Sequence, residues 1–506
     1  MPSYRNAAAE IEDHYDPARE QFELLVGRLD APEAQYLEHG EVEELVWSGG
    51  QELLRSLLQG HFDQRSEQEP VREKVVGVDG EPRTHRRTAC PRELETRFGT
   101  VIVRRIGYGG RGLESVYPLD AELNLPPDRY SHGIRRKLIS EAINHSFDES
   151  LEQIKRETNG CLPKRQAQEL TVKLAQDFDD YYARPLTVCP DTTDEERILV
   201  ISADGKGIVM HPGGLREATR RASERSSNKQ RTRLSPGEKA NRKRMATVVA
   251  VYEIARYRRT AEQILKLEDA PDTPRPRPQN KRVFAKVEAD MASVIEDGFA
   301  EALRRDPQQQ MRWVVLTDGQ DELIRQVEAA AARYKLDITL VQDFVHALEY
   351  LWKAAHALHP AEPSEREAWV EDRAKALLNG TARDVAIGLR RAATRAQLSP
   401  DERKPVDKAA NYLEKSRERL RYDIALENGF PIATGVIEGA CRHLVKDRMD
   451  ITGARWGLDR AEAVLRLRSI KVSGDLDDYL DCHFEQERRR NYPQTIMPLL
   501  DGEKAA

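Results

Sequence analysis

Three carboxylates carry the chemistry legible in this chain. Asp204 closes an apolar run within Ile198 to Gly207 (ILVISADGKG) and is followed by two glycines and Lys206. Asp318 closes a second run, Trp313 to Gly319 (WVVLTDG). Short Ile/Val-rich runs ended by glycine read as buried strands, so each acid is expected at the carboxyl end of a strand, the two strands being neighbours. That edge of an open α/β sheet is where ligands bind, and two carboxylates there can hold a divalent cation. Glu438 lies on a helical segment, Gly435 to Met449 (GVIEGACRHLVKDRM), with Arg442 one turn further on. Singly, each has an ordinary explanation: Asp-Gly is turn chemistry, and Glu and Arg four apart form surface pairs. Together they point to a metal-dependent site acting on nucleic acid.

The elements that must position these acids are bounded first by composition. A chain of 506 residues, 39% hydrophobic and 33% charged, is long enough for several domains and a sizeable core. Five scattered cysteines form no C-x-x-C pair, which excludes a zinc knuckle or a disulfide framework and fits a reducing, cytoplasmic setting. No apolar run approaches a membrane span, and the first residues lack the apolar core of a signal peptide. No G-x-x-x-x-G-K-[ST] loop is present, which leaves nucleotide hydrolysis without support. The net charge of −6 gives no global attraction to nucleic acid, so any footprint must be local. It is found between the two strand acids: Arg216 to Arg244 holds eleven Lys/Arg against three Glu. Such a like-charge block binds phosphate backbones, and its Ser/Asn content suggests a loop that orders on binding. Lys229, Arg231, Arg233, Arg242, Lys243 and Arg244 are its candidate DNA contacts.

Patterning divides the chain further. Residues 1–70 read as helices and 71–130 as a small antiparallel sheet with turns at Asp79-Gly80 and Phe98-Gly99. Its arginines Arg83, Arg86, Arg87, Arg97, Arg104 and Arg105 are expected outward. Residues 131–190 hold three short helices, the second opened by a Ser146/Glu149 capping box. With Lys164 and Arg165 opening the third, they are helix-turn-helix-like and a candidate DNA-binding region. A β/α core is expected over 191–346, an all-helical stretch over 347–430, the Glu438 helix within 431–475, and a tail over 476–506. The fold class is α/β with large α content.

The chain order strand-Asp, strand-Asp, helical insertion, helix-Glu resembles an RNase H-like DDE transposase core. The phrases ISADGKGIVM, LTDGQ, QDFVHALEYLW and GVIEGACRHLVKDRMDITGARW are similar to those of the ISKra-four family of bacterial insertion-sequence transposases, over roughly residues 195 to 470. The resemblance implies Asp204, Asp318 and Glu438 as a catalytic triad holding two divalent ions, Mg2+ or Mn2+. It matches Asp343 and His346 to a D-x-x-H signature; at a strand end entering a helix they are placed either to orient the site or, for His346, as a satisfied structural histidine, and Lys206, two residues beyond Asp204, is placed to contact a phosphate. The chemistry is consistent with this set. Phosphodiester cleavage requires an in-line oxygen nucleophile, a stabilised leaving oxygen and relief of charge repulsion, all of which a carboxylate-held metal pair supplies. A freed 3′-hydroxyl in place of water converts cleavage into strand transfer.

The activity so implied is DNA transposition. The partners are the element's terminal inverted repeats and target DNA, bound by an oligomer because joining two ends requires two sites. The rival expectations are a non-catalytic DNA-binding derivative and a stand-alone RNase H-like nuclease. Trp456, among Arg448, Arg455 and Arg460, would either stack on an unpaired base or fill the core between helix and sheet.

Overall fold

The computed structural model describes residues 13–184, 197–225, 242–269, 274–359, 363–451 and 453–492. The protein is α/β, with a mixed five-stranded sheet and smaller antiparallel ones. It divides into two compact units, residues 1–177 with 477–506 and residues 178–476.

In the first unit, α1 (Asp16–Asp30) packs on α2 (His39–Glu67), and α2 lies on the sheet that follows. Short strands β1 (Val75–Val76) and β2 (Pro82–Arg83) flank the expected turn at Asp79-Gly80. The long hairpin β3 (His85–Thr96) and β4 (Gly99–Gly110) is extended by β5 (Leu113–Val116). Alternation along β4 puts Val101 and Val103 into a core with Phe62, Leu94 and Leu119. The same alternation corrects two of the outward arginines. Arg105 is buried and pairs with Asp120, itself held by Arg92 at 2.9 Å; Arg83 is buried against Asp79 at 2.6 Å. Arg86, Arg87, Arg97 and Arg104 are exposed.

After α3 (Pro118–Glu122) come the three helices expected from the sequence: α4 (His132–Ala142), α5 (Phe147–Glu157) and α6 (Lys164–Leu174). The Ser146/Glu149 capping box opens α5, with Glu149 N–H donating to Ser146 Oγ at 3.2 Å. Lys164, at the start of α6, is held by Asp148 at 2.7 Å. What was expected as a tail contains a 16-residue helix, Leu476–Asn491, which completes this unit. Its Tyr479, His483 and Phe484 are buried, His483 and Arg490 both bond Asp177, and Glu487 meets the buried Arg135 at 2.6 Å.

The second unit opens with α7 (Phe178–Tyr182) and is built on β6 (Arg197–Val209), β7 (Lys243–Ala255), β8 (Gln279–Lys286), β9 (Arg312–Thr317) and β10 (Ile338–Gln342), in the order β10-β9-β6-β7-β8. Strands β6, β7 and β8 are antiparallel neighbours, whereas β9 runs parallel to β6 and β10 parallel to β9. Between β6 and β7 lies α8 (Glu217–Arg225), and between β7 and β8 α9 (Ala261–Ile264). The basic block expected as a loop therefore begins as helix, since Glu217 and Glu224 each stand one turn from a partner, Arg221 and Arg220. Lys229, Arg231 and Arg233 lie outside the described residues.

Helix α10 (Met291–Arg305) lies close against the sheet, because Gly298 leaves no Cβ to strike Val249 Cγ1, which would stand 2.5 Å away. Helix α11 (Asp321–Tyr334) links β9 to β10. From β10 the chain enters the helical stretch: α12 (Phe344–Leu358), α13 (Pro363–Leu378), α14 (Ala382–Arg395), α15 (Pro400–Lys415) and α16 (Tyr422–Glu427). They pack on one another through Leu351, Leu377, Leu389 and Leu413. The stretch closes where it opened, with Phe344 N–H donating to Ile432 C=O at 2.9 Å. The chain then returns to the sheet as α17 (Gly435–Cys441), a π-helical turn Arg442–Lys446, α18 (Asp447–Met449) and α19 (Leu458–Ser473). The C-terminal helix of the first unit is α20 (Leu476–Asn491).

Candidate metal centre

The strand register places the first two acids. In the parallel β6/β9 pair Ser202 faces Leu316, and two residues further along the same register stand Asp204 and Asp318. Neighbouring strands run about 4.8 Å apart and every second residue shares a face, so the two acids are level and on one side. Asp204 does not end its strand as expected. β6 continues, paired to β7, as far as Val209, with Asp204 opposite Val248; what ends at this level is β9. Asp204 therefore stands on a projecting hairpin, just past the end of its parallel neighbour. Asp318 follows β9 directly, and Gly319 holds φ +94°, where a Cβ would strike the Gln342 side chain at 2.3 Å. Only glycine fits there.

The same edge supplies a third acid. Gln342 faces Thr317 in the β9/β10 pair, so Asp343 stands level with Asp318, its N–H donating to Thr317 C=O at 2.8 Å. Asp343 is completely buried and caps α12 through Val345 N–H. Its Oδ2 accepts from Thr434 Oγ1 at 2.8 Å and meets His346 Nδ1 at 2.9 Å. The closure of the helical stretch brings Thr434 there, and Thr434 Oγ1 also lies 3.0 Å from Glu438 Oε1, one turn along α17. Asp343, His346 and Glu438 each offer a ligand atom within 4.8 Å of the other two.

The buried Cys441 thiol, three residues beyond Glu438, lies within electrostatic reach of the Asp204 carboxylate. Burial first, and then the Asp204 carboxylate, hold it firmly protonated. Glu438 and Lys206 both lie within electrostatic reach of that thiol, and Asp318 within reach of His346. Burial alone would lower His346, but the bond and charge of Asp343 and the charges of Asp318 and Glu349 outweigh it, so the imidazole is raised.

Asp204, Asp318, Asp343, His346 and Glu438 thus gather at one edge of the sheet. Among the described residues, no Lys or Arg forms an ion pair with Asp204, Asp318 or Glu438. Arg442 meets Asp447 at 3.9 Å instead of Glu438. Several carboxylates without a cationic partner are the donor chemistry that hard divalent ions require, so the residues present fit Mg2+ or Mn2+. Comparison with protein-family models and with curated proteins gives no match.

The remaining predicted contacts separate. Lys206, Arg442 and Arg455 are exposed on this unit. Arg242 and Arg455 line a cavity of about 400 Å3 with Met210, Leu215, Asp450 and Ile451. Lys243 is within 3.6 Å of Asp450. Arg244 is half-buried and donates three of its five N–H groups to the carbonyls of Val287 at 2.7 Å, Glu288 at 2.9 Å and Gly214 at 3.1 Å, within its own unit. Of the two expectations for Trp456, base stacking or core, the structure gives the core, not the DNA contact. The residue is 6% exposed, its indole N–H donates to Met449 C=O at 3.1 Å, and its backbone bonds Val209 and His211. Thr434 and Cys441 were not singled out from the sequence, although each falls on the Glu438 side of its helix, at positions four before and three after.

Proposed function

We propose that this protein is a DNA transposase of the RNase H-like DDE type, similar to the ISKra-four insertion-sequence enzymes. It binds element ends, cuts a phosphodiester there and transfers the freed 3′-hydroxyl to target DNA. One observation carries the reading: two acids stand level on neighbouring parallel strands, and a helical stretch returns the chain so that Glu438 arrives beside Asp343 and His346, which open the helix after the next strand. A strand order with three antiparallel strands followed by two parallel ones on the far side of the first is also what an RNase H-like core demands.

In this reading Asp204, Asp318 and Glu438 hold divalent ions, Mg2+ or Mn2+, which when bound supply nucleophile activation and charge neutralisation at phosphorus. The protein's own groups prepare the site. The Gly205 N–H bonds Asp204 Oδ1 at 2.6 Å, fixing the carboxylate's direction, and the buried, protonated Cys441 thiol lies within its reach. Gln320 N–H does the same for Asp318 Oδ1 at 3.0 Å. Lys206, exposed and on the Asp204 face of β6, meets the incoming phosphate, and Arg442 and Arg455 extend that attraction. Joining two ends calls for two such sites, hence an oligomer assembled on DNA.

The test begins with the DNA flanking the gene, read for imperfect inverted repeats. Duplexes carrying such repeats, incubated with the protein and Mn2+ or Mg2+, should be nicked at the repeat boundary to leave a 3′-hydroxyl and then joined to a second duplex. Binding without cleavage in either metal would leave a non-catalytic DNA-binding protein. Cleavage without end preference or joining would leave a nuclease.

A further inference from the structure

We propose that His346 is itself a metal ligand, through Nε2, with Asp343 as its orienting partner, so that the centre selects Mn2+ over Mg2+. This rests on the reading that Glu438 holds a metal, and it goes further by adding a nitrogen donor and a preference.

Asp343 is poorly placed to be a ligand. It is fully buried, its Oδ1 accepts from Val345 N–H at 3.1 Å and Thr434 N–H at 3.4 Å, and its Oδ2 is engaged by Thr434 Oγ1 and His346 Nδ1. Three donors converge on it besides the Thr434 hydroxyl, so the carboxylate is engaged within the protein instead of being turned outward. His346 is in the complementary state. Its side chain is 37% exposed, and the bond from Nδ1–H to a buried carboxylate fixes the tautomer that leaves the lone pair on Nε2. Carboxylate, imidazole, metal is the recurrent order in which a second carboxylate orients a ligating histidine and raises its basicity.

Thr434 supplies an independent argument. Its hydroxyl lies 2.8 Å from Asp343 Oδ2 and 3.0 Å from Glu438 Oε1, yet it carries one proton. It can satisfy one carboxylate at a time, which leaves two acceptors facing one donor. A cation against Glu438 and His346 would leave the Thr434 proton to the buried Asp343, the carboxylate that water does not reach. The ligand atoms already lie within 4.8 Å of one another, and Glu438 is exposed and long enough to close the remainder by side-chain rotation. The carboxylates of Asp343 and Glu438 that stand beside this nitrogen attract a cation to the same place. Imidazole beside carboxylate is a donor set for transition ions, whereas Mg2+ prefers oxygen throughout.

The full-length protein titrated with Mn2+, followed by electron paramagnetic resonance, tests this. Bound Mn2+ should show hyperfine coupling to one imidazole nitrogen by pulsed methods, lost in His346→Gln. In that variant Mn2+ affinity should fall roughly 10-fold or more, while Mg2+ affinity, read by competition, changes by less than about 3-fold. Mn2+ bound to the wild-type protein without nitrogen coupling would overturn the proposal and leave the carboxylate site standing. No Mn2+ binding, with Glu438→Gln indistinguishable from wild type, would overturn both. The wild-type spectrum decides the first question even if His346→Gln folds poorly.

Discussion

Trp456→Ala separates packing from recognition. The indole is 6% exposed, its N–H donates to Met449 C=O at 3.1 Å, and the Arg448 guanidinium lies 4.8 Å over its ring. Truncating a buried Trp to Ala costs about 3–5 kcal/mol, and leaving the Met449 carbonyl unpaired adds about 1 kcal/mol. The total, about 5 kcal/mol, should lower the melting temperature of the 178–476 unit by roughly 10 °C or more, at about 2–4 °C per kcal/mol for a large domain. Trp456→Phe keeps most of the ring and loses the donor, so a drop of only about 1–2 kcal/mol is expected. Differential scanning calorimetry of the three proteins reads these shifts directly. An unchanged melting temperature in Trp456→Ala, with loss of end joining, would refute the packing argument and return the residue to the DNA surface.

Asp204→Asn, Asp318→Asn and Glu438→Gln should each reduce strand cleavage by on the order of 10^3-fold or more, as loss of several kcal/mol of metal-supplied stabilisation implies, with duplex binding retained in a mobility-shift assay. Neutralising the exposed Arg442 or Arg455 should weaken binding to all sequences alike and flatten the salt dependence by about 0.9 per lost phosphate contact. Arg244→Ala should leave that slope unchanged and cost roughly 2 kcal/mol of stability, since its bonds go to carbonyls of its own unit. His132 gives the first unit a pH dependence: burial against Phe484 depresses its pKa from 6.5 to about 4. Unfolding takes up a proton between those values, so stability is complete above about 6.5, declines as pH falls, and levels off below about 4 after a loss of about 3 kcal/mol. Urea titrations of wild type and His132→Gln at pH 7 and pH 4.5 should show the decline in the first protein only.

Much of this arrangement is legible in the chain, because buried strands and amphipathic helices announce themselves by period. The runs ending at Asp318 and Gln342, the three helices before residue 177 and the helical stretch before Pro431 all fall where patterning puts them. What patterning does not encode is pairing. The run at Asp204 looks finished because its apolar content ends there, yet β7 keeps bonding to it for five further residues. Alternation fixes which β4 residues turn inward, but not that Asp120 waits to receive Arg105. Thr434 and Cys441 are unremarkable in sequence, and they matter only because the end of β10 and the projecting β6 hairpin come to meet α17. The tail was invisible as a structural element because its Arg- and Glu-rich surface conceals a short buried edge of Tyr479, His483, Phe484 and Glu487.

That last helix has a consequence for synthesis. The first unit is written in two pieces of sequence, with the whole of the second unit between them. A chain leaving the ribosome presents Asp177 long before His483 and Arg490 exist to pair with it, while Arg135 has Asp128 at 2.6 Å and lacks only Glu487. Until the final helix emerges, Asp177 lacks both of its ion-pair partners, so this part of the N-terminal core cannot close around a neutralised charge. The intervening unit can mature meanwhile, since its own two ends already meet where Tyr182 Oη and Ser473 Oγ bond at 2.9 Å. The interior unit can therefore close on its own contacts, whereas the unit that begins the protein cannot be complete until the last of the chain has been made.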